Sequence, residues 1–224
     1  MTLDPNPIAA STQAPWVKVW DPVVRYGHWV LVVAFAVAYL SAEEDTASPD
    51  QLHVWGGYAV GAIVAIRVLW GFVGTVHARF SDFAYGPASA LRYLADMLRG
   101  RARRYIGHSP AGAVMVFALL ACLAGTVGTG IVAYGNAGRG PLAKAIVPVT
   151  SSARAEQGEM EQPGAEEPGE RAESAVGEIH AALANITLGL VVLHILGVGL
   201  ASVVHRENLV ASMFSGRKRG AAGD

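Results

Sequence analysis

The length, composition and charge of this chain exclude most classes of soluble protein. Its 224 residues are 52% hydrophobic and only 16% charged, and their formal net charge is −1. Soluble domains carry about 25% charged residues, and a near-neutral chain lacks the basic surface that nucleic acid requires. The single cysteine, Cys122, allows neither an intrachain disulfide nor a thiolate cluster. The composition therefore predicts a small membrane protein.

Four apolar runs approach or exceed the length of about 20 residues that a helix needs to cross a bilayer. They predict helices at about 22–42, 53–76, 111–134 and 176–204. The strict alternation that is typical of a membrane barrel is missing from these runs. The predicted fold is an all-α, integral membrane four-helix bundle.

The polar segments predict the rest of the organisation. Residues 1–19 are expected to form an N-terminal tail, residues 20–215 the transmembrane domain, and residues 216–224 a basic C-terminal tail. The stretch 151–174 is rich in Glu, Gly, Ala and Pro. Because such a composition buries little apolar surface, it predicts a disordered acidic linker.

The loop between the second and third helices carries the clearest charge signal. Six arginines lie between His77 and Pro110, whereas the short loop after the first helix is acidic. By the positive-inside rule the arginine loop and both termini are expected to be cytoplasmic. Within that loop, residues 87–99 predict a short amphipathic surface helix with Leu91, Leu94 and Leu98 on one side.

Four histidines fall inside or at the ends of the predicted spans. His180 and His194 are fourteen residues apart on the last helix, which returns them to within about 40° of one face at a rise of about 21 Å. The predicted topology places His53 and His180 near the outer face, and His28 and His194 in the inner half. We call these the outer pair and the inner pair.

A pair of histidines on facing helices of an apolar bundle is how a b-type haem is held. Two imidazole nitrogens occupy both axial positions of the iron, so electron transfer is the expected chemistry. The sequence therefore predicts two haems b, with the four histidines as iron ligands and with no catalytic residue of the protein itself.

Two arginines accompany the histidines. Arg67 lies fourteen residues after His53 and so shares its face at the depth of the inner pair. Because an arginine inside a membrane helix is costly, it predicts a functional contact, here with the propionates of the inner haem or with a quinone; snorkelling toward the surface is the alternative. Arg25, three residues before His28, is a second candidate.

Several short motifs carry a resemblance to a known family. These are His28-Trp29, the segment LHVWGGY around His53, Arg67, and HAALANITLGLVVLH from His180 to His194. Together, over residues 19–215, they resemble the bacterial cytochrome b561 and nickel-hydrogenase b-type cytochrome family.

The resemblance implies a multi-pass electron carrier of the bacterial inner membrane. Its two haems b would be ligated at the positions matched by His28, His53, His180 and His194. Such proteins pass electrons between the quinone pool and a partner, often a periplasmic cytochrome c or a hydrogenase. The resemblance leaves open a quinone or quinol oxidoreductase activity and a homodimeric assembly.

Two other functions are compatible with histidines in a membrane bundle. One is a metal-ion transporter or an intramembrane metalloenzyme, although the clustered spacing of a non-haem site is missing and no buried acid accompanies the histidines. The other is a membrane anchor without redox chemistry, which leaves Arg67 and the matched depths unexplained.

Overall fold

The computed structural model of the protein describes residues 16–42, 51–143 and 168–220, with side chains in the last segment from residue 175 onward. Almost all regular structure in these ranges is helical. The elements are β1 (Trp16–Lys18), α1 (Pro22–Leu40), α2 (Gln51–Val73), a 3-10 turn (Val76–Ala78), α3 (Phe80–Phe83), α4 (Pro87–Leu98), α5 (Pro110–Asn136), α6 (Pro168–Val204), α7 (Leu209–Ser215) and β2 (Arg217–Arg219).

Four of these helices are long and apolar enough to cross a membrane. The spans are Pro22–Leu40, Gln51–Val73, Pro110–Asn136 and Ala175–Val204. Their outward faces expose large apolar side chains such as Val33, which is 62% exposed. Helices satisfy their own backbone hydrogen bonds, so such faces suit a lipid environment. The predicted all-α bundle with four membrane spans is confirmed.

Local sequence explains where two of the spans begin. The carboxylate of Asp21 caps α1 by accepting a hydrogen bond from the Val24 backbone N–H at 3.0 Å, and the hydroxyl of Ser109 caps α5 by accepting one from Gly112 at 3.2 Å. In each case proline is the first helical residue, where its missing N–H is not needed.

The last helix begins earlier than the sequence predicts. It starts at Pro168, inside the stretch 151–174 that is predicted to be a disordered linker. Proline at the first helical position favours a helix start there, and Glu170, Arg171 and Ala172, which follow Gly169, are good helix formers. Residues 151–167 lie outside the described residues.

The four spans form two helical hairpins. α1 packs on α2, α5 packs on α6, and α2 against α5 joins the hairpins. A buried cluster at this junction comprises Ala34, Val60, Val64 and Leu123. Gly56 allows α1 and α2 to approach closely, since a Cβ there would lie 3.0 Å from that of Ala38. α1 and α6 meet through side chains, since the Tyr39 hydroxyl donates a hydrogen bond to Oδ1 of Asn185 at 2.7 Å.

The amphipathic helix predicted in the arginine loop is present as α4, and it packs on the bundle by a face other than that of its leucines. α4 packs on α5 and buries Ala90, Tyr93 and Met97. Leu91 and Leu98 are 68% and 81% exposed. A small-residue and aromatic face thus docks on the bundle, and the leucines point away from it, as suits a helix lying in the membrane interface.

The two predicted tails are partly ordered and pair with each other. Trp16–Lys18 and Arg217–Arg219 form an antiparallel ladder in which Val17 faces Lys218. This corrects the assignment of both segments to tails: each strand has only three residues, too few for a periodic signal in the sequence. The ladder ties the two ends of the described chain together.

A buried ion pair holds the same region. Arg104 binds the Glu207 carboxylate through Nε at 3.1 Å and Nη2 at 2.8 Å, and the Arg219 backbone N–H donates to that carboxylate at 3.2 Å. Burial opposes ionisation of Glu207, but the hydrogen bonds and charge of Arg104 outweigh it, so the pKa of Glu207 lies below its usual value. The pair joins the arginine loop to β2.

Candidate functional site

The structure brings together the two histidine pairs that the sequence predicts. The ring centres of His53 in α2 and His180 in α6 are 5.9 Å apart, with an interplanar angle of 79°. Those of His28 in α1 and His194 in α6 are 6.4 Å apart, at 64°. All four rings are half-buried. The long helix α6 thus contributes one histidine to each pair.

Backbone carbonyl groups orient both rings of the outer pair. Nδ1 of His53 lies 2.8 Å from the carbonyl oxygen of Ala38, and Nδ1 of His180 lies 2.9 Å from that of Thr126. A carbonyl can only accept a hydrogen bond, so in each ring Nδ1 carries the proton and donates it. The lone pair is left on Nε2, which is the form in which histidine ligates a metal.

Helix α5 supplies no histidine but fixes the position of His180. The hydroxyl of Thr129 lies 3.3 Å from Nδ1 of that ring. The next residue, Gly130, also faces this ring: a Cβ there would lie 2.9 Å from Cε1 of His180. Only glycine at this position lets the imidazole lie so close to α5.

The inner pair is surrounded by aromatic rings. The ring centre of Trp29 is 5.2 Å from that of His28 and stacks on Phe214 of α7 at 4.3 Å and 17°. In the part of the chain that the structure describes, neither His28 nor His194 has a carbonyl partner like those of the outer pair. The two pairs therefore differ in how their rings are held.

Both predicted arginines lie at the end of the bundle where α1 begins and α2 ends, which we call the arginine-rich end. Arg67 is half-buried, and its guanidinium carbon lies 5.2 Å from the ring centre of Phe80. Arg25 donates through Nη2 to the carbonyl oxygen of Phe214. Among the described residues, Nη1 of Arg67 and Nε of Arg25 have no hydrogen-bond partner although both atoms are buried.

Comparison with known proteins decides the family. The family model described as prokaryotic cytochrome b561 matches residues 19–216, which is nearly the whole of the chain. The chain belongs to the prokaryotic cytochrome b561 family. A search of curated proteins and a search of solved structures each found no match.

Membership fixes the coarse function of this cytochrome. It is a multi-pass protein of the bacterial inner membrane that carries electrons by means of b-type haem. The predicted family, localisation and all-α membrane fold are thereby confirmed.

The residues present fit a haem held by two imidazoles. A metal–nitrogen bond of about 2.0 Å on each side of an iron, plus about 1.1 Å from each nitrogen to its ring centre, puts two axial rings about 6 Å apart. The observed separations of 5.9 and 6.4 Å agree with this value. Within the described residues there is no cluster of three or more His, Cys, Asp or Glu side chains suited to a metal ion.

Asp21 links two helices at the arginine-rich end of the cytochrome. Its carboxylate accepts hydrogen bonds from the Thr75 hydroxyl at 2.6 Å and from Nε1 of Trp70 at 3.0 Å. Burial alone would raise the pKa of Asp21, but these hydrogen bonds outweigh burial and lower it. The ionised carboxylate joins the start of α1 to the end of α2, and so sets the relative height of the helices that carry His28 and His53.

The remaining histidines have other partners. Nδ1 of His77 lies 3.2 Å from the Asp82 carboxylate, and Nε2 of His205 lies 3.1 Å from the Tyr93 hydroxyl. His108 packs between Trp20 and Phe83, with ring centres at 4.9 and 4.0 Å.

Sequence reasoning missed three groups around the histidines. The carbonyl groups of Ala38 and Thr126 have no side-chain signature, because every residue carries a carbonyl. Gly130 is one of several glycines in an apolar helix, and nothing in the sequence marks which of them contacts His180. The sequence marks Trp29 only as part of the His28-Trp29 motif and gives no sign of its contact with Phe214.

Proposed function

We propose that this cytochrome carries two haems b, each held by one of the two histidine pairs. The outer pair, His53 and His180, ligates one iron, and the inner pair, His28 and His194, ligates the other. The observation that supports this most is the presence of two separate imidazole pairs, each at the spacing of two axial ligands.

The protein's contribution to the chemistry is to hold each ring in place. When bound, each haem supplies a one-electron couple. With two imidazoles to hold it, each haem would be suited to electron transfer rather than to binding oxygen or substrate. Ala38 and Thr126 keep the outer rings in the ligating tautomer.

The two haems would span the membrane. His180 and His194 are fourteen residues apart on one continuous helix, a rise of about 21 Å, within a hydrocarbon core of about 30 Å. We propose that the arginine-rich end and both termini are cytoplasmic, in line with the positive-inside rule. The inner haem then lies toward the cytoplasm and the outer haem toward the periplasm.

We further propose that Arg67 and Arg25 bind propionates of the inner haem. Each has a buried nitrogen without a partner among the described residues, and an arginine is well suited to a carboxylate. The proposed electron path joins the quinone pool to a periplasmic redox partner such as a c-type cytochrome or a hydrogenase.

Single histidine substitutions test the pairing. We expect His53→Ala and His180→Ala each to remove the same haem and to leave the other, and His28→Ala and His194→Ala to do the reverse. The measurement is haem content per chain together with the reduced-minus-oxidised spectrum of purified protein. His77→Ala is the matched control, because His77 contacts Asp82 at 30% exposure and should leave both haems bound. Loss of the same haem in all four variants would contradict the pairing.

A further inference from the structure

Four buried side-chain nitrogens at the arginine-rich end have no hydrogen-bond partner among the described residues. They are Nε of Arg25, Nε1 of Trp29, Nη1 of Arg67 and Nδ1 of His108. A buried polar atom without a partner is unfavourable, and native proteins contain few of them. Four at one end of a bundle therefore indicate a polar ligand.

The first two nitrogens lie together. Arg25 and Trp29 are four residues apart on α1, so they share a helix face, and His28 lies beside them in sequence. Both are tied to Phe214: Arg25 donates to its carbonyl oxygen, and the Trp29 ring stacks on its ring. Arginine and the indole N–H can only donate hydrogen bonds. This place therefore suits an ionised carboxylate.

The residues that carry the other two nitrogens, Arg67 and His108, pack against a pair of phenylalanine rings, Phe80 and Phe83. The Arg67 guanidinium is 5.2 Å from the Phe80 ring centre, the His108 ring is 4.0 Å from Phe83, and the two phenylalanine rings are 5.9 Å apart. The other nitrogen of His108 hydrogen-bonds to the backbone of His77. Since a carbonyl accepts that bond, a neutral His108 has an accepting lone pair on Nδ1.

His108 is neutral at physiological pH. Burial is the main reason that the pKa of His108 is lowered to about 3. The nearby charges of Arg67 in α2, Lys218 in β2 and His77 in the 3-10 turn lower it further. The second place thus offers one donor, Arg67, and one acceptor, His108. A protonated carboxyl group matches both, because its carbonyl oxygen accepts and its hydroxyl donates.

We propose that these two places bind the two propionate groups of the inner haem, an ionised one at Arg25 and Trp29 and a protonated one between Arg67 and His108. This inference rests on the proposed function, which places that haem between His28 and His194. It adds Trp29 and His108 as cofactor-binding residues, with Nδ1 of His108 as the acceptor of the hydrogen bond from the protonated propionate.

Trp29→Phe tests the first place. The variant keeps an aromatic ring to stack on Phe214, removes the N–H group and makes the ring smaller. Without that donor the propionate charge is felt more strongly at the iron, so we expect the midpoint potential of the inner haem to fall, by roughly threefold to tenfold in the reduction equilibrium. The outer haem should be unchanged. Trp55→Phe is the matched control, because Trp55 lies at the other end of α2 and is 68% exposed.

His108→Phe tests the second place through the pH dependence of the inner midpoint potential. In the wild type the propionate loses its proton as pH rises, and over the range in which it titrates the inner potential should fall by at most tenfold per pH unit, or about 59 mV for a one-electron couple. In His108→Phe the carboxyl beside Arg67 stays ionised and the potential should be constant. His108→Gln supplies an accepting amide oxygen and should restore the slope. His205→Phe, at the same end, is the control.

The outcomes separate this inference from the proposed function. A wild-type protein without two haems would overturn the proposed function itself. Two haems whose inner potential is the same in Trp29→Phe as in the wild type, and whose pH slope survives in His108→Phe, would overturn this inference alone. If His108→Phe does not bind the inner haem, Trp29→Phe and His108→Gln still decide the matter.

Discussion

Substituting Gly130 by alanine would press directly on a proposed haem ligand. A Cβ at this position would lie 2.9 Å from Cε1 and 3.2 Å from Nδ1 of His180. Carbon atoms pack at about 3.5 Å or more, so the imidazole or the helix must move by about 0.6 Å. The ring is not free to move without loss, because its Nδ1 donates to the Thr126 carbonyl at 2.9 Å.

The magnitude follows from that hydrogen bond. A shift of about 0.6 Å lengthens it to about 3.5 Å, which is outside the range of a good hydrogen bond. Losing the group that orients a ligating histidine lowers metal affinity by about 10–100-fold. We therefore expect Gly130→Ala to weaken binding of the outer haem by one to two orders of magnitude and to leave the inner haem in place.

Haem titration of the purified apoprotein, followed in the Soret band, measures this effect. Gly128→Ala is the matched control on the same helix, since a Cβ there meets no atom within 4 Å. Equal haem affinity in the Gly130→Ala and Gly128→Ala proteins, or loss of the inner haem alone, would refute the reasoning.

Three further predictions concern stability and the linker. Burial opposes ionisation of Glu207, but Arg104 outweighs it, so the pKa of Glu207 lies below its usual value. The stabilisation by the Arg104–Glu207 ion pair is therefore present above the unfolded pKa near 4.5 and is lost as pH falls through the folded pKa. Glu207→Gln should cost about 1–3 kcal/mol at pH 7 and flatten the acid limb of thermal unfolding; an unchanged acid limb would contradict this. In Gly71→Ala the new Cβ would overlap the Phe80 ring, so the free energy of unfolding should fall by about 1–3 kcal/mol. Gly86→Ala is the control and should be near neutral, because a Cβ there meets no atom within 4 Å. Deleting 151–167 should leave haem content per chain unchanged, and loss of either haem would show that the segment is structural.

The membrane spans and the meeting of the histidine rings could be predicted because both depend on simple physics. An apolar run of bilayer length has few stable alternatives to a helix. Once the order and direction of the spans are set, the depth of each histidine follows from the rise of about 1.5 Å per residue. Those depths match His53 with His180 and His28 with His194, which are the rings that the structure brings together.

Features that depend on tertiary contact could not be predicted. The ladder between Trp16–Lys18 and Arg217–Arg219 joins two short strands more than 190 residues apart, and neither strand carries a pattern of its own. The amphipathic helix α4 could be predicted, but the face by which it packs on the bundle could not, because its leucines dominate the apolar pattern whereas Tyr93 and Met97 are the buried residues.

The surroundings of the histidines were hidden from the sequence for a related reason. Carbonyl partners such as that of Thr126 belong to the backbone, and their position depends on how α5 and α6 pack. Likewise, the unpartnered nitrogens of Trp29 and His108 become notable only when burial is known. The sequence indicates which side chains can bind a haem, and the packing determines how each is oriented.

The most direct test of the central claim is haem quantitation per chain, with a reduced-minus-oxidised spectrum, on the full-length protein purified in detergent. Two b-type haems per chain, both low-spin with two histidine ligands, is the result that the account predicts. One haem per chain would show that one of the two ring pairs, at 5.9 and 6.4 Å, is not a haem site, and it would contradict the proposed electron path through both halves of the membrane.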